Sequence, residues 1–91
     1  MIFKVVYHPS VVHDDIPKLS SVWKSKIRKA IEERLISNPE VYGKPLRKSL
    51  KGYRKLRVGD YRVIFLIEKE SVKILVIQHR SVVYDRINKR I

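Results

Sequence analysis

The 91-residue chain has no cysteine, three glycines, four prolines and nine acidic residues against 21 basic ones. Without cysteine there is no disulfide-stapled scaffold, no zinc ribbon and no thiol nucleophile. The longest apolar run is the five-residue Val63-Ile64-Phe65-Leu66-Ile67, far short of the roughly 18 residues that a membrane-spanning helix requires, so no membrane contact is expected. The segment Met1–Tyr7 lacks the long apolar core of a signal peptide and alternates as a strand does, which makes the cytoplasm the default compartment. His8, His13 and His79 are not at i, i+3 or i, i+4 spacing, so no metal site is expected. There is no glycine-rich phosphate loop, no Gly-x-Ser-x-Gly and no Ser/His/Asp set, and so no cofactor is expected.

What the chain does have is charge and periodicity. Hydrophobic residues make up 44% of it and recur with strand and helix periods, which excludes disorder. Residues 1–91 form a single domain, since a chain this short buries only about two-thirds of its unfolded surface and leaves no room for a second core. The formal net charge is +12, and +7 of it falls in residues 41–67, where eight basic residues meet one acidic residue. Charge concentrated in one block points to a surface built to meet phosphates or an acidic partner.

Residues 2–7 predict a strand, and Pro9 or Ser10 opens a first helical segment that Pro17 should end or kink. A cap at Ser20 or Ser21 begins a longer helix to about Ile36, with Trp23, Ile27, Ala30, Ile31 and Leu35 on one stripe. Asn38-Pro39 ends it. After a loop through Tyr42-Gly43-Lys44-Pro45, strands are expected over about 46–50, 53–58, 61–68 and 72–79, while the tail from Val82 to Ile91 is ambiguous, a short helix being one reading, with Asp85 and Arg86 interrupting an otherwise apolar edge. The adjacent pairs Asp14-Asp15 and Glu32-Glu33 read as solvated faces. This order implies an α+β domain with a mainly antiparallel sheet and two helices on one face.

The hairpin Tyr53 to Phe65 carries the most information. With a two-residue turn at Gly59-Asp60, Val58 lies opposite Tyr61, Arg57 opposite Arg62 and Lys55 opposite Ile64. Alternation sends Leu56, Val58, Tyr61, Val63 and Phe65 to the core and gathers Tyr53, Lys55, Arg57 and Arg62 on the other face. Directly opposed like charges destabilise a sheet unless an anion sits between them. Arginine binds phosphate through paired planar donors, and a neighbouring lysine adds a point charge. A metal-free site of this kind suits RNA, whose own 2′-hydroxyl is the nucleophile, leaving the protein to place the phosphate, neutralise charge and move protons.

Leu50, Gly52, Tyr53, Arg54, Arg57, Val58, Gly59, Asp60, Tyr61, Arg62, Val63 and Ile64, followed by His79-Arg80 and Val83-Tyr84, form a pattern. It resembles the RelE/ParE superfamily of toxins from bacterial and archaeal toxin–antitoxin modules, over nearly the whole chain. The resemblance implies a RelE-like fold, with two N-terminal helices packed on a twisted, mainly antiparallel sheet of four to five strands. It also implies a metal-independent endoribonuclease, an mRNA interferase that cuts the codon in the ribosomal A site and leaves a 2′,3′-cyclic phosphate and a 5′-hydroxyl. The implied partners are a RelB-like antitoxin, the ribosome and mRNA. By the same resemblance, Lys55 is the charge-stabilising lysine, Arg62 the phosphate-binding arginine, Arg80 the transition-state or leaving-group arginine and Tyr84 the candidate general base. Arg57, Arg54, Lys51 and His79 are implied as further RNA contacts, with His79 also a candidate proton donor; acid and base stay unassigned between these groups.

Tyr53 stands where some ribosome-dependent members carry another lysine; Arg54 is adjacent but should point to the other face, and two outcomes are open, compensation by Lys51 or Arg54, or weaker activity. The competing expectation is a ParE-like non-enzymatic toxin that inhibits DNA gyrase. Such members share the fold and the Gly-Asp-Tyr-Arg hairpin but generally lack a tyrosine at position 84 together with the hairpin lysine. A bare nucleic-acid-binding module, with steep salt dependence and no cleavage, is the third expectation.

Overall fold

A computed structural model describes residues 2–91. Strand β1 (Lys4–Tyr7) leads into a wide helical turn over Val11–Asp15 and a 3-10 turn over Ile16–Lys18. Helix α1 (Ser21–Ala30), prolonged by a second wide turn over Ile31–Leu35, is followed by the short α2 (Pro39–Tyr42) and β2 (Lys44–Pro45). Beyond a 3-10 turn at Lys48–Leu50 come β3 (Tyr53–Val58), β4 (Tyr61–Glu68), β5 (Ser71–His79) and the tail helix α3 (Val83–Arg90). The five strands lie in the order β1-β5-β4-β3-β2, with β1 parallel to β5 and every other pair antiparallel.

Local chemistry sets these boundaries. The Ser20 hydroxyl accepts the Trp23 N–H at 3.3 Å, which satisfies one of the orphan donors that open α1. Pro17 neither ends nor breaks the first helical stretch, which continues to Lys18. It falls in the first turn of the 3-10 segment, where a missing N–H has no partner to lose. Residues 46–50 are not the expected strand. Alternation there would drive Lys48 into the apolar cluster beside Leu46 and Leu50; instead Lys48 takes a φ of 58° and the chain turns, so that both leucines reach that cluster.

Two apolar layers sandwich the sheet. On one face Ile27, Ala30, Ile31 and Leu35 pack on Leu56, Val63, Phe65, Val72, Ile74 and Ile77. Fully burying each of the larger aliphatic side chains contributes roughly 1.5–3 kcal/mol, which outweighs the unfavourable order of basic and acidic residues along α1. The N-terminal helices occupy this face as expected, while α3 covers the opposite one, where Val83 and Ile87 pack on Ile64, Leu75 and Val76. A bulge in β5 enlarges the second layer by one residue. Ile64 pairs with Val76 but Phe65 with Ile74, so Leu75 is an extra residue, and Leu75 and Val76 both join the layer under α3.

Asp15 contradicts the expectation of a solvated face. It is 1% exposed, the single buried charged residue among those described, while its neighbour Asp14 is exposed. Its partners lie more than 60 positions away.

Candidate functional site

The β3–β4 hairpin takes the register read from its sequence: Val58 opposite Tyr61, Arg57 opposite Arg62 and Lys55 opposite Ile64. Gly59 supplies the positive φ, 58°, that the turn requires. Leu56, Val58, Tyr61, Val63 and Phe65 belong to the helical face, where the Trp23 and Tyr61 rings lie 5.0 Å apart. By alternation Lys55, Arg57 and Arg62 then share the other face. Tyr53 lies there too, half-buried against the apolar layer beneath α3, so it works as packing where a lysine would have added charge.

Helix α3 brings Tyr84 to this face. With Val83 and Ile87 seated in the apolar layer, Tyr84 stays at the surface, 39% exposed. Its phenol oxygen accepts a hydrogen bond from Lys55 Nζ at 3.2 Å. The same ammonium lies 6.0 Å from the centre of the tyrosine ring, at the limit of a cation–π contact. The lysine amino group therefore stands beside the phenol oxygen and orients it.

The arginines flank this pair with weaker ties. Arg57 is exposed. Arg62 curls back on the turn, its Nη1 donating to the carbonyls of Gly59 and Tyr61, each at 2.9 Å. Arg80 follows the end of β5, where its backbone N–H donates to the Asp60 carbonyl at 2.8 Å. Its Nε lies 3.9 Å from the Asp60 carboxylate, with both side chains more than 60% exposed, an ion pair of little strength that leaves the guanidinium free to exchange partners. The structure thus joins Lys55 and Tyr84 directly, sets Arg57 and Arg62 beside them, and holds Arg80 at the hairpin tip.

Three expected RNA contacts sit elsewhere. Arg54, alternate to Lys55, turns to the helical face and donates through Nη1 to the carbonyls of Gly43 at 3.0 Å and Glu40 at 3.4 Å. It closes the end of α2 and does not replace the missing lysine. His79 is paired with Tyr61 and meets its ring edge-on at 5.8 Å, again on the helical face. Because its Nδ1 accepts the Ser81 N–H at 3.2 Å, the neutral ring carries its proton on Nε2. Lys51 lies exposed in the turn before β3.

Sequence reading missed Lys44, Arg34 and Tyr42. Lys44, in a segment read as loop, is paired with Lys55 across β2 and β3 and adds a second opposed cation pair to that of Arg57 and Arg62. Strand β2 pairs only with Lys55 and Arg54, leaving the outer edge of β3 beyond it unpaired by β2. A cavity of about 210 Å³ opens there, lined by Arg34, Tyr42, Lys44, Lys55, Leu56, Arg57 and Arg62. The Arg34 guanidinium stacks on the Tyr42 ring at 5.8 Å. A cavity with five cationic side chains suits a phosphate-bearing ligand. The signal in the sequence was Lys44-Pro45 itself, too short a strand to show alternation.

Comparison with known proteins places the chain. Residues 7–84 match the family described as the ParE toxin of type II toxin–antitoxin systems. Toxin RelE of Mycobacterium tuberculosis is 44% identical over 52 residues, 55% of this chain and 54% of that protein, so the match spans about half the length of the curated relative. Among solved structures, the RelBE2 toxin–antitoxin complex of M. tuberculosis contains a chain that superimposes with a TM-score of 0.81 at 28% identity, over 88% of this chain and all of that one. A double arginine-to-alanine mutant of Escherichia coli toxin RelE in the free state shares the fold, with a TM-score of 0.75 at 22% identity over 100% of this chain and 99% of that one. The hairpin, the sheet order and these matches agree: the chain belongs to the ParE toxin family, within the RelE/ParE superfamily of toxin–antitoxin toxins.

Proposed function

We propose that this toxin is a RelE-like mRNA interferase that cuts a message in the ribosomal A site, and that an antitoxin of the RelB kind restrains it. In this reaction the 2′-oxygen of one nucleotide attacks the adjacent phosphorus and the bond to the 5′-oxygen breaks. The products are a 2′,3′-cyclic phosphate and a 5′-hydroxyl; the 2′-hydroxyl loses a proton and the leaving oxygen gains one. Lys55, Arg57 and Arg62 meet the charge that builds on the phosphate, Arg62 exchanging the hairpin carbonyls for phosphate oxygens. Arg80 leaves Asp60 to meet the leaving oxygen. Tyr84 is the candidate base, oriented by Lys55. Fixed positive donors aimed at a developing oxyanion are each worth on the order of a hundred- to a thousandfold in rate.

The observation that carries this reading is the hydrogen bond between Lys55 and Tyr84, because a hydrogen-bonded lysine and phenol among phosphate-binding arginines is equipment for proton transfer. The antitoxin is supported by the similar chain in a toxin–antitoxin complex. Ribosome dependence is supported by Arg62, which rests on the hairpin's own carbonyls, so that a scaffold setting the message against it would draw it into the site.

The family-model match favours gyrase inhibition as the second reading. Primer extension on a defined mRNA, with purified protein and with or without ribosomes holding an open A site, separates the two. Cleavage within the A-site codon only when ribosomes are present is the expected result. No cleavage in either tube, together with inhibition of DNA supercoiling, moves the assignment to gyrase.

A further inference from the structure

Asp15 and Arg90, 75 positions apart, form a two-pronged ion pair with Nη1 to Oδ2 and Nη2 to Oδ1 both at 2.7 Å. The two side chains are 0% and 8% exposed. The carboxylate also accepts the Ile77 N–H at 2.9 Å and the Gln78 side-chain amide at 2.6 Å, and Arg90 donates to the Leu75 carbonyl at 2.9 Å. All of this lies past the end of β1, whose pairing with β5 stops at Tyr7 and Ile74. Between them the two side chains answer an N–H and a carbonyl on the edge of β5 beyond the last paired residue of β1. One partner comes from the helical face and the other from α3 on the opposite face, so the pair clips the two layers together around the sheet edge.

We propose that Asp15 and Arg90 are positioning residues, which hold α3 in the direction that sets Tyr84 against Lys55. Helix α3 is eight residues long, has no side-chain cap at its start and is too short to persist unaided. Two apolar seats, Val83 and Ile87, hold the helix at its start and middle and leave the last turn free to fray. The tie at Arg90 carries the same line to the last turn, at the far end from Tyr84, and holds that turn to β5 so that the short helix stays wound along its whole length. Loss of the carboxylate frees the last turn, and a helix left with little more than one turn no longer holds the Tyr84 hydroxyl against the lysine. Displacements of about 1 Å at a reacting group cost on the order of a hundredfold in rate.

The catalytic consequence rests on the interferase reading, whereas the holding of α3 does not, so the test has two arms. Asp15→Asn and Arg90→Lys are compared with the unaltered chain by native-state amide hydrogen exchange and by cleavage of mRNA on programmed ribosomes. The expected result for Asp15→Asn is amide exchange about tenfold faster in α3 with β3 and β4 unchanged, and kcat lower by about a hundredfold with KM unchanged. Arg90→Lys, which keeps the charge but not the two-nitrogen fork, falls between this variant and the parent, and carries both arms if Asp15→Asn does not fold. Unchanged exchange in α3 overturns the proposal, as does a loosened α3 with full kcat. If the unaltered chain does not cut, the interferase reading fails, and the exchange arm alone decides whether the pair holds the helix.

Discussion

Lys55 and Tyr84 are 29 positions apart and meet through a single hydrogen bond from the ammonium to the phenol oxygen, 3.2 Å long. Because each orients the other, their contributions to cleavage should not add. Tyr84→Phe and Lys55→Met are each expected to lower kcat by about a hundredfold or more, with the double variant close to the worse single one. A double variant that multiplies the two losses would falsify their acting as a unit.

Two pairs of like charges face each other across strands, Arg57 with Arg62 and Lys44 with Lys55. Such pairs cost a few tenths to about 1 kcal/mol each in the empty protein, and a bound phosphate removes that cost. Arg57→Thr should therefore melt higher than the parent in low-salt buffer, while gaining less from added inorganic phosphate. Equal gains from phosphate in both proteins would show that the pair is no anion seat.

Gly59 serves the hairpin twice, with its φ of 58° and with its closeness to Trp23. A Cβ built there runs into the indole of Trp23, so Gly59→Ala must push Trp23 off the hairpin as well as strain the turn. A loss of about 1–3 kcal/mol by urea unfolding is expected, accompanied by a red-shifted tryptophan emission. An unshifted emission would mean that the indole does not rest on the turn.

Tyr7 is half-buried between the sheet and the helices, beside a cavity of about 410 Å³ that it lines with Ile16, Leu19, Ile27 and Ile31. Burial first, and Glu32 second, push its phenol above the ordinary value of 10.0, with Arg28 opposing. Below about pH 10 both folded and unfolded chains hold the proton, and the stability associated with Tyr7 is fully present. As the pH rises through that value the unfolded chain ionises first, so stability falls by at most about 1.4 kcal/mol per pH unit until the folded group also ionises. Urea unfolding across roughly pH 9 to 11 should show a steeper decline in the parent than in Tyr7→Phe; parallel curves would remove Tyr7 as the cause.

Legibility in the sequence followed the range of the interactions. The Ser20 cap and the Gly59-Asp60 turn act over two or three residues, and the hairpin register with its cationic face followed from them. Residues 46–50 misled because Leu46 and Leu50 fit both a strand pattern and a turn, and the choice was made by the apolar layer they share with Tyr53 and Ile64. The parity of Arg54 was legible, but its partners, the carbonyls of Glu40 and Gly43, come from a loop more than ten residues away and were not. Asp15 looked like its exposed neighbour Asp14, and nothing near it announced Arg90, 75 residues on. Lys44 reached the site only because a two-residue strand placed it opposite Lys55.

The bulge in β5 has a consequence for insertions and deletions. Since Leu75 is the supernumerary residue, removing it would restore plain alternation while leaving Ile74, Val76, Ile77 and His79 on their present faces. The ladder with β4 would close without slippage. What such a deletion takes away is the Leu75 carbonyl that Arg90 grips and one apolar seat under α3. The frame of the strand survives the loss of that residue while the tail helix loses part of its hold, so the sheet and the seat of α3 answer to separate constraints.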